Sequence, residues 1–417
     1  MSKLDDLINE FCPNGVEFKP LTEIFTNFSG MRGVSNKWKD NGNCRFIDYM
    51  NAYKNLKVDV NKLPYATVKN NNQNVLCKGD ILLTSASEVP GECAIASVIE
   101  DVIDNNNIYM DDHLFGLRVN QTFESLINPT FVCYFMHTYY FRSLIRKAVR
   151  GVTRFYISVN DFMKCQIPIP PLPVQKEIVR ILDKFTDRTT RLVELLNKEL
   201  TARKKQYEYY RDFLLSEEQL GDEVKWVKLG DVAEIYDGTH QTPHYTDWGV
   251  PFVSVENIDN IYGSKKFISK NDFEKYKIKP QIGDVFMTRI GSIGKCTVIN
   301  KDVDIGYYVT LALIRPNLCA VLSEFIKYFI ESSHGARELY KRTLHHAVPI
   351  KINKGDIGKI QIPLPPLAVQ ERVVKILDKF DSLVNDLSKG LPAEIEARKK
   401  QYEYYRDKLL SFKNIKD

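Results

Sequence analysis

The chain has 417 residues, a net charge of +5 and 44% apolar residues, enough for two to four domains with cores of their own. No apolar run reaches the length of a bilayer span. The opening MSKLDDLINE is acidic where a secretion signal is basic, and the eight cysteines are scattered with no Cys-x-x-Cys pair. A membrane protein, a disulfide framework and a structural zinc site are therefore not expected, which leaves a reduced, cytoplasmic protein whose weak basicity says little about its partners.

In chain order, a short amphipathic piece (Val16–Ile24) leads into a mixed region. It holds a Gly79-Asp turn before a β-like run, a Gly91-x-Cys step, a run ending in Leu117-Arg118 and a helix-like stretch rich in Tyr and Phe (Phe131–Ile145). Next comes Gln166-Ile-Pro-Ile-Pro-Pro-Leu, whose prolines favour an extended, stiff path. A long helix follows, with apolar or small residues at Ile178, Leu182, Phe185, Thr189, Leu192 and Leu196. After a one-residue skip the stripe continues at Leu200, Arg203, Tyr207, Tyr210 and Leu214, a coiled-coil seam about 55 Å long.

The whole layout then recurs. A second amphipathic piece (Val224–Val232), Gly283-Asp, Gly294-x-Cys, Ile314-Arg315 and a helix-like stretch (Phe325–Tyr340) lead to Gln361-Ile-Pro-Leu-Pro-Pro-Leu. The second helix repeats the seam at Val373, Leu377, Phe380, Val384, Leu387, Leu391, Ile395, Arg398, Tyr402, Tyr405 and Leu409, with a break expected at Gly390-Leu391-Pro392. The peptide ARKKQYEYYRD occurs unchanged at Ala202–Asp212 and 195 residues later at Ala397–Asp407, and roughly thirty of about fifty flanking positions agree. Solvated helix faces would explain the charges of each copy, but not why exposed positions match between copies. A partner docking once on each half would.

The expected fold is α+β: two mixed α/β globules separated by two long antiparallel coiled-coil helices, with pseudo-two-fold symmetry. Residues 1–165 form the first globule and its N-terminal segment, 166–216 the first spacer helix, 217–360 the second globule and 361–417 the second spacer helix and tail. Framework repeats while loops diverge, as a two-headed recognition protein requires.

On the two Ile-Pro-x-Pro-Pro-Leu segments, the two Ile-Leu-Asp-Lys-Phe heptads and the two RKKQYEYYRD peptides, the chain resembles the specificity (S) subunit of type I restriction–modification enzymes, nearest to the type IC branch. The resemblance implies target recognition domains that each read one half of a split sequence in double-stranded DNA. It implies helices that space the heads and dock two adenine-N6-methylating (M) subunits, with restriction (R) subunits joining through the complex. Of the helix residues, Leu182, Phe185, Tyr207, Tyr210, Leu377, Phe380, Tyr402 and Tyr405 are the expected seam and docking positions. S-adenosylmethionine, ATP and Mg are expected on the partners, with no cofactor and no metal in this chain. Major-groove half-sites roughly 10 bp apart would leave about six unread pairs.

Candidate DNA contacts follow by residue type. In the first head they are Arg32, Lys37, Trp38 and Lys39, and Arg150 and Arg154 at the end of a basic run that includes Arg142, Arg146 and Lys147. In the second head the segment Tyr236–Asp247 offers Thr239, His240, Gln241 and His244, suited to base edges or phosphates; Pro243 argues against a helical metal site there. Arg289 and Ser292 lie in Arg289-Ile-Gly-Ser-Ile-Gly-Lys, which lacks the spacing of a nucleotide-binding loop and reads as a turn aiming Arg289 at DNA. Lys341, Arg342, His345 and His346 suit phosphates, or a solvated helix end. The first head has Ser85-Ala-Ser-Glu-Val-Pro where the second has the Arg289 turn. No aminomethyltransferase motif, methyl-donor loop or Walker A sequence is present, so no catalytic residue is expected. The alternative is a non-enzymatic two-headed protein scaffold.

Overall fold

The computed structural model describes residues 3–35, 42–61, 63–69, 72–100, 108–221, 224–385 and 390–416. The chain forms two compact units, Met1–Glu194 with Glu396–Asp417 and Leu195–Ile395. These do not coincide with consecutive segments. Each holds one head, the start of the helix leaving it and the end of the other repeat's helix.

Both heads are built on one plan. In the first, an antiparallel sheet runs in the order Phe25–Ser29, Leu114–Val119, Ile81–Thr84, Ala96–Val98. The second has Ala233–Asp237, Leu311–Pro316, Val285–Thr288, Cys296–Val298 in the same order. A smaller four-stranded sheet with one parallel pairing accompanies each, joining Cys44–Ile47 to Ile108–Met110 and Val250–Val253 to Gly306–Tyr307. The proline-rich segments are strands, as their extended geometry predicts: Gln166–Pro168 pairs with Phe18–Pro20, and Gln361–Leu364 with Lys225–Lys228.

The Gly-Asp turns and the run-ending arginines, read separately in the sequence, are partners. Gly79 and Gly283 adopt φ of 91° and 89°, turning Asp80 and Asp284 inward. There Arg118 grips Asp80 at 2.8 and 2.6 Å, and Arg315 grips Asp284 at 2.9 and 2.7 Å. Both carboxylates are buried, so such a bidentate pair holds only because its geometry and extra backbone bonds offset desolvation. The Gly-x-Cys steps, by contrast, are not equivalent. The residue donating to the Thr84 carbonyl is Ala94, and its counterpart on Thr288 is Gly294, so the true register is three residues off. That position has positive φ in both heads (52° and 91°), which glycine tolerates and alanine does not favour.

Each helix-like stretch is a pair of helices. Pro129–Met136 and Tyr139–Ala148 are separated at Thr138, and Ser323–Glu331 and Ser333–Arg342 at Ser332. The hydroxyls of Thr138 and Ser332 cap the second helix by accepting from Phe141 and Gly335 amides.

The first spacer helix is continuous over Leu172–Leu214, about 65 Å at 1.5 Å per residue. The second is two helices, Leu367–Val384 and Gly390–Leu409; the first ends before the expected Gly390-Leu391-Pro392 break, and Gly390 (φ 69°) with Pro392 opens the second. The predicted seam residue Leu387 lies outside the described residues. Ile178, Leu182, Val373 and Leu377 are buried as expected, whereas Leu192, in the middle of the long helix, is exposed.

Tertiary contacts account for the repeated residues. Gln175 and Gln370 are wholly buried. Each accepts a backbone amide (Asn128, Leu322) and donates to two carbonyls (Leu126 and Pro170; Ala320 and Pro365). Asp183 and Asp378 accept the hydroxyls of Tyr134 and Tyr328 at 2.9 and 2.6 Å. Within the first unit, Tyr402 stacks on Phe185 at 5.6 Å and shares a hydrogen bond with Thr186, while Tyr405 meets Phe185 edge-on. Within the second, Tyr207 is buried and Tyr210 stacks on Phe380 at 5.4 Å. The closing aspartates do the same work twice. Asp407 accepts the Tyr139 amide at 2.8 Å and Asp212 the Ser333 amide at 2.9 Å, each a carboxylate at the first amide of a capped helix.

Candidate nucleic-acid interface

The loops that distinguish the heads sit at the ends of the main-sheet strands. In the second head, the strand Val285–Thr288 ends at Arg289, whose neighbour Ile290 bridges to Lys351. Gly291 donates to the Ile350 carbonyl, and Ile352 to that of Arg289. The Arg289 side chain does not reach outward as the sequence suggests. It is buried, donates to the Ile352 carbonyl at 3.1 Å and is ion-paired with Asp237 at the end of another strand. One guanidinium thus ties together three segments: Asp237–His244, Arg289–Gly294 and Leu344–Ile352. Its role is to position them, because a buried guanidinium that is ion-paired to Asp237 and bonded to the Ile352 carbonyl points into the head and away from a base.

The first of those segments opens a cleft of about 720 Å³, lined by Thr239, His240, Gln241 and His244 together with Lys275 and Lys354. Its backbone is held by the Thr239 amide on the Tyr307 carbonyl and by the Val309 amide on the Thr239 carbonyl. The Thr239 hydroxyl closes the turn with Gln241. His240, Gln241 and His244 are exposed, and His240 Nε2 lies 4.0 Å from Asp237. The sequence reading missed the lysines, which lie far off in the chain, and Trp248, 82% exposed beside the strand Tyr245–Thr246. Ser292 is exposed. Lys341 and Arg342 are both engaged by Glu338, at 2.9 and 2.7 Å, so Arg342 is spoken for and half-buried. His345 is exposed against the Tyr340 ring at 4.3 Å, and His346 is exposed.

The first head organises the equivalent loops differently. Ala86–Ser87 pairs with Phe155–Tyr156, joining the loop after the central strand to the loop after the helix pair. Arg142 belongs to the predicted basic run yet is buried. It enters from the helix Tyr139–Ala148 and donates to the carbonyls of Gly91, Cys93 and Ala94. Burial lowers its pKa to about 10. Arg150 and Arg154 remain exposed, Arg150 at 3.6 Å from Asp161. Arg32 is exposed in a turn held by reciprocal bonds between its backbone and the Gln73 amide group, while Lys37, Trp38 and Lys39 lie outside the described residues. Both heads thus present cationic and amide groups on loops with rigid backbones. The surface suits a polyanion with readable edges. No helix among the described residues is long and apolar enough to cross a membrane.

The comparisons agree with this plan. A family model for the type I restriction modification DNA specificity domain matches residues 13–202 and again 221–397. The chain is similar to the EcoR124I/EcoR124II specificity subunit of Escherichia coli, 32% identical over 272 residues, which are 61% of this chain and 65%, just under two thirds, of that one. It is similarly close to a putative type I specificity subunit of Haemophilus influenzae, S.HindORF215P, 32% identical over 274 residues, 63% of this chain and 68% of the other. A chain from a solved structure of the type I R-M system shares the fold with a TM-score of 0.68 at 19% identity, over 96% of this chain and 98% of that one. The HsdS subunit of Thermoanaerobacter tengcongensis gives 0.50 at 19%, over 96% and 97%. With the specificity domain matched twice over most of its length, the chain belongs to the type I restriction–modification DNA specificity family.

Proposed function

We propose that the chain is the non-catalytic, sequence-reading subunit of a type I restriction–modification complex, each head reading one half of a split target in double-stranded DNA. The carrying observation is the contrast within each head. The Gly-Asp-Arg brace and the buried glutamine are the same in both, whereas the loops at the strand ends are tied by different residues and carry different side chains. In the second head Thr239, His240, Gln241, His244 and Ser292 read or grip DNA, and in the first Arg32, Arg150 and Arg154, with Lys37, Trp38 and Lys39, do so.

The repeated helices dock two adenine-N6-methylating subunits. Tyr207, Tyr210, Tyr402 and Tyr405 spend much of their surface inside their own units, so the docking identity rests on repeated residues that stay exposed, notably Tyr209 and Tyr404 at 64% and 62%. The methylating partners supply S-adenosylmethionine, and restriction subunits with ATP and Mg join through them. The target adenine is extruded into the partner's pocket.

Single-molecule methylome sequencing of cells co-expressing this chain with the methylating subunit encoded beside it tests the reading. A split motif with N6-methyladenine in each half is expected. A stable complex that leaves no motif would instead favour the two-headed scaffold.

A further inference from the structure

Each head carries a short closed loop after its helix pair, and at each tip stands a bare valine. In the first head Arg150 and Tyr156 close the loop by exchanging two 2.9 Å backbone bonds, and Val152 at the tip is 91% exposed. In the second, the Leu344 amide donates to the Lys351 carbonyl at 2.7 Å, and Val348 is 100% exposed. The loop sequences, Gly-Val-Thr-Arg and His-His-Ala-Val-Pro-Ile, do not match, so a shared ancestry of letters does not explain the shared apolar tip.

Three features make these tips more than stray surface residues. Both loops are closed by backbone hydrogen bonds. Gly151 sits at φ 124°, where an added Cβ would lie 2.1 Å from the Arg154 carbonyl, and the second loop is held from beneath by Arg289 and Gly291. Both tips are flanked by exposed cationic or titratable groups, Arg150 and Arg154 in one case, His345, His346 and Lys351 in the other. The first tip lies between Arg150 and Arg154, themselves proposed DNA contacts, and the Ile290–Lys351 bridge joins the second to the segment that carries Ser292. A compact β-branched side chain, restricted at χ1 and held at the tip of a closed loop among cations, has the form of a wedge that enters a base stack while its neighbours hold phosphates.

We propose that Val152 and Val348 insert between stacked base pairs, one in each half-site, and unstack the step beside the adenine that the methylating partner extrudes. This rests on the proposed DNA-reading function. It assigns the unstacking, though not the chemistry, to this chain.

The test uses the complex of the full chain with its methylating subunit, on duplexes carrying 2-aminopurine beside the target adenine of one half-site. Val152→Ser should lower the fluorescence rise and the methylation rate about tenfold in the first head's half-site alone, the worth of one buried aliphatic side chain. Val348→Ser should do the same in the other, and Val→Ile at either tip should restore both signals. Both positions are exposed, so the folds should survive. Unchanged fluorescence and rate would overturn the wedge. So would an altered base preference with normal unstacking, which would make the valine a reader of a thymine methyl, or failure of the complex to form, which would make it a protein contact. A wild-type complex that neither binds nor methylates any split site would overturn the function beneath it as well.

Discussion

Where the first unit half-buries His137, the second half-buries Glu331, and the comparison shows how one framework accepts opposite chemistry. Both residues close the first helix of their pair and face the same edge strand. His137 Nε2 lies 2.7 Å from the Ala96 carbonyl, and the Glu331 carboxylate accepts the Cys296 amide at 2.9 Å. The backbone offers a carbonyl in one unit and an amide in the other, and the side chain supplies whichever partner is missing. The strand-end loops follow the same logic. A guanidinium braces each set, but Arg142 arrives from a helix and Arg289 from the loop itself. What is shared between the heads is the need for a buried donor or acceptor; the residue meeting it is free to change.

The sharpest break should come from Arg289→Met. It leaves Asp237 facing a vacated site and should destabilise the second unit by about 3 kcal/mol, in the range for breaking a buried pair. Denaturant unfolding would show it, and methylation should fall in one half-site while the other keeps its rate. Equal loss in both would contradict the assignment of that arginine to one head.

Acid should drive the units apart next. Burial, with the charges of Arg406 and Arg142, holds His137 down at about 4, so the unfolded chain takes up a proton below about 6.5 that the folded chain refuses. The first unit should lose about 2 kcal/mol as pH falls from 6.5 towards 4. Burial raises the Glu331 pKa above its usual 4.5, despite Lys327 and Arg211 nearby. Its contribution to stability is therefore present at low pH and lost as pH rises through the folded value. Calorimetry across that window should show His137→Gln removing the acid loss from the first unit's transition and leaving the second's untouched.

A smaller effect, about 1–2 kcal/mol, is expected for Arg142→Met, because three loop carbonyls lose their donor while a desolvated charge is also removed. It should appear in the first unit only. Smallest of all are Asp212→Asn and Asp407→Asn, each costing under about 1 kcal/mol through the helix-terminal charge. Asp212→Asn should cost slightly the more, because Asp212 also accepts the Ser333 hydroxyl whereas Asp407 meets the Tyr139 amide; a larger loss at Asp407 would weaken the equivalence of the units.

Much of this was legible from residues alone. The duplicated Gln-Ile-Pro strands, the helix seam and the divergence of the loops are local or periodic signals, and they survive folding because prolines and heptads act over a few residues. The partnership of Asp80 with Arg118, 38 positions apart, was visible only as two separate punctuation marks. Arg142 and Arg289 read as exposed cations because sequence shows charge but not direction, and the three-residue slip between the Gly-x-Cys steps arose from matching letters where backbone geometry was the true equivalence.

By itself, then, the sequence determined that this protein is a duplication, which segments carry the shared framework, and which segments were free to diverge. Those properties are carried by repeated residues and by short-range periodicity. Only the tertiary structure decided which repeat's helix end completes which head, which arginines turn inward, and which valines stand bare. Each of these depends on groups far apart in the chain competing for the same buried donor or acceptor, and that competition is settled only when the chain is closed around them.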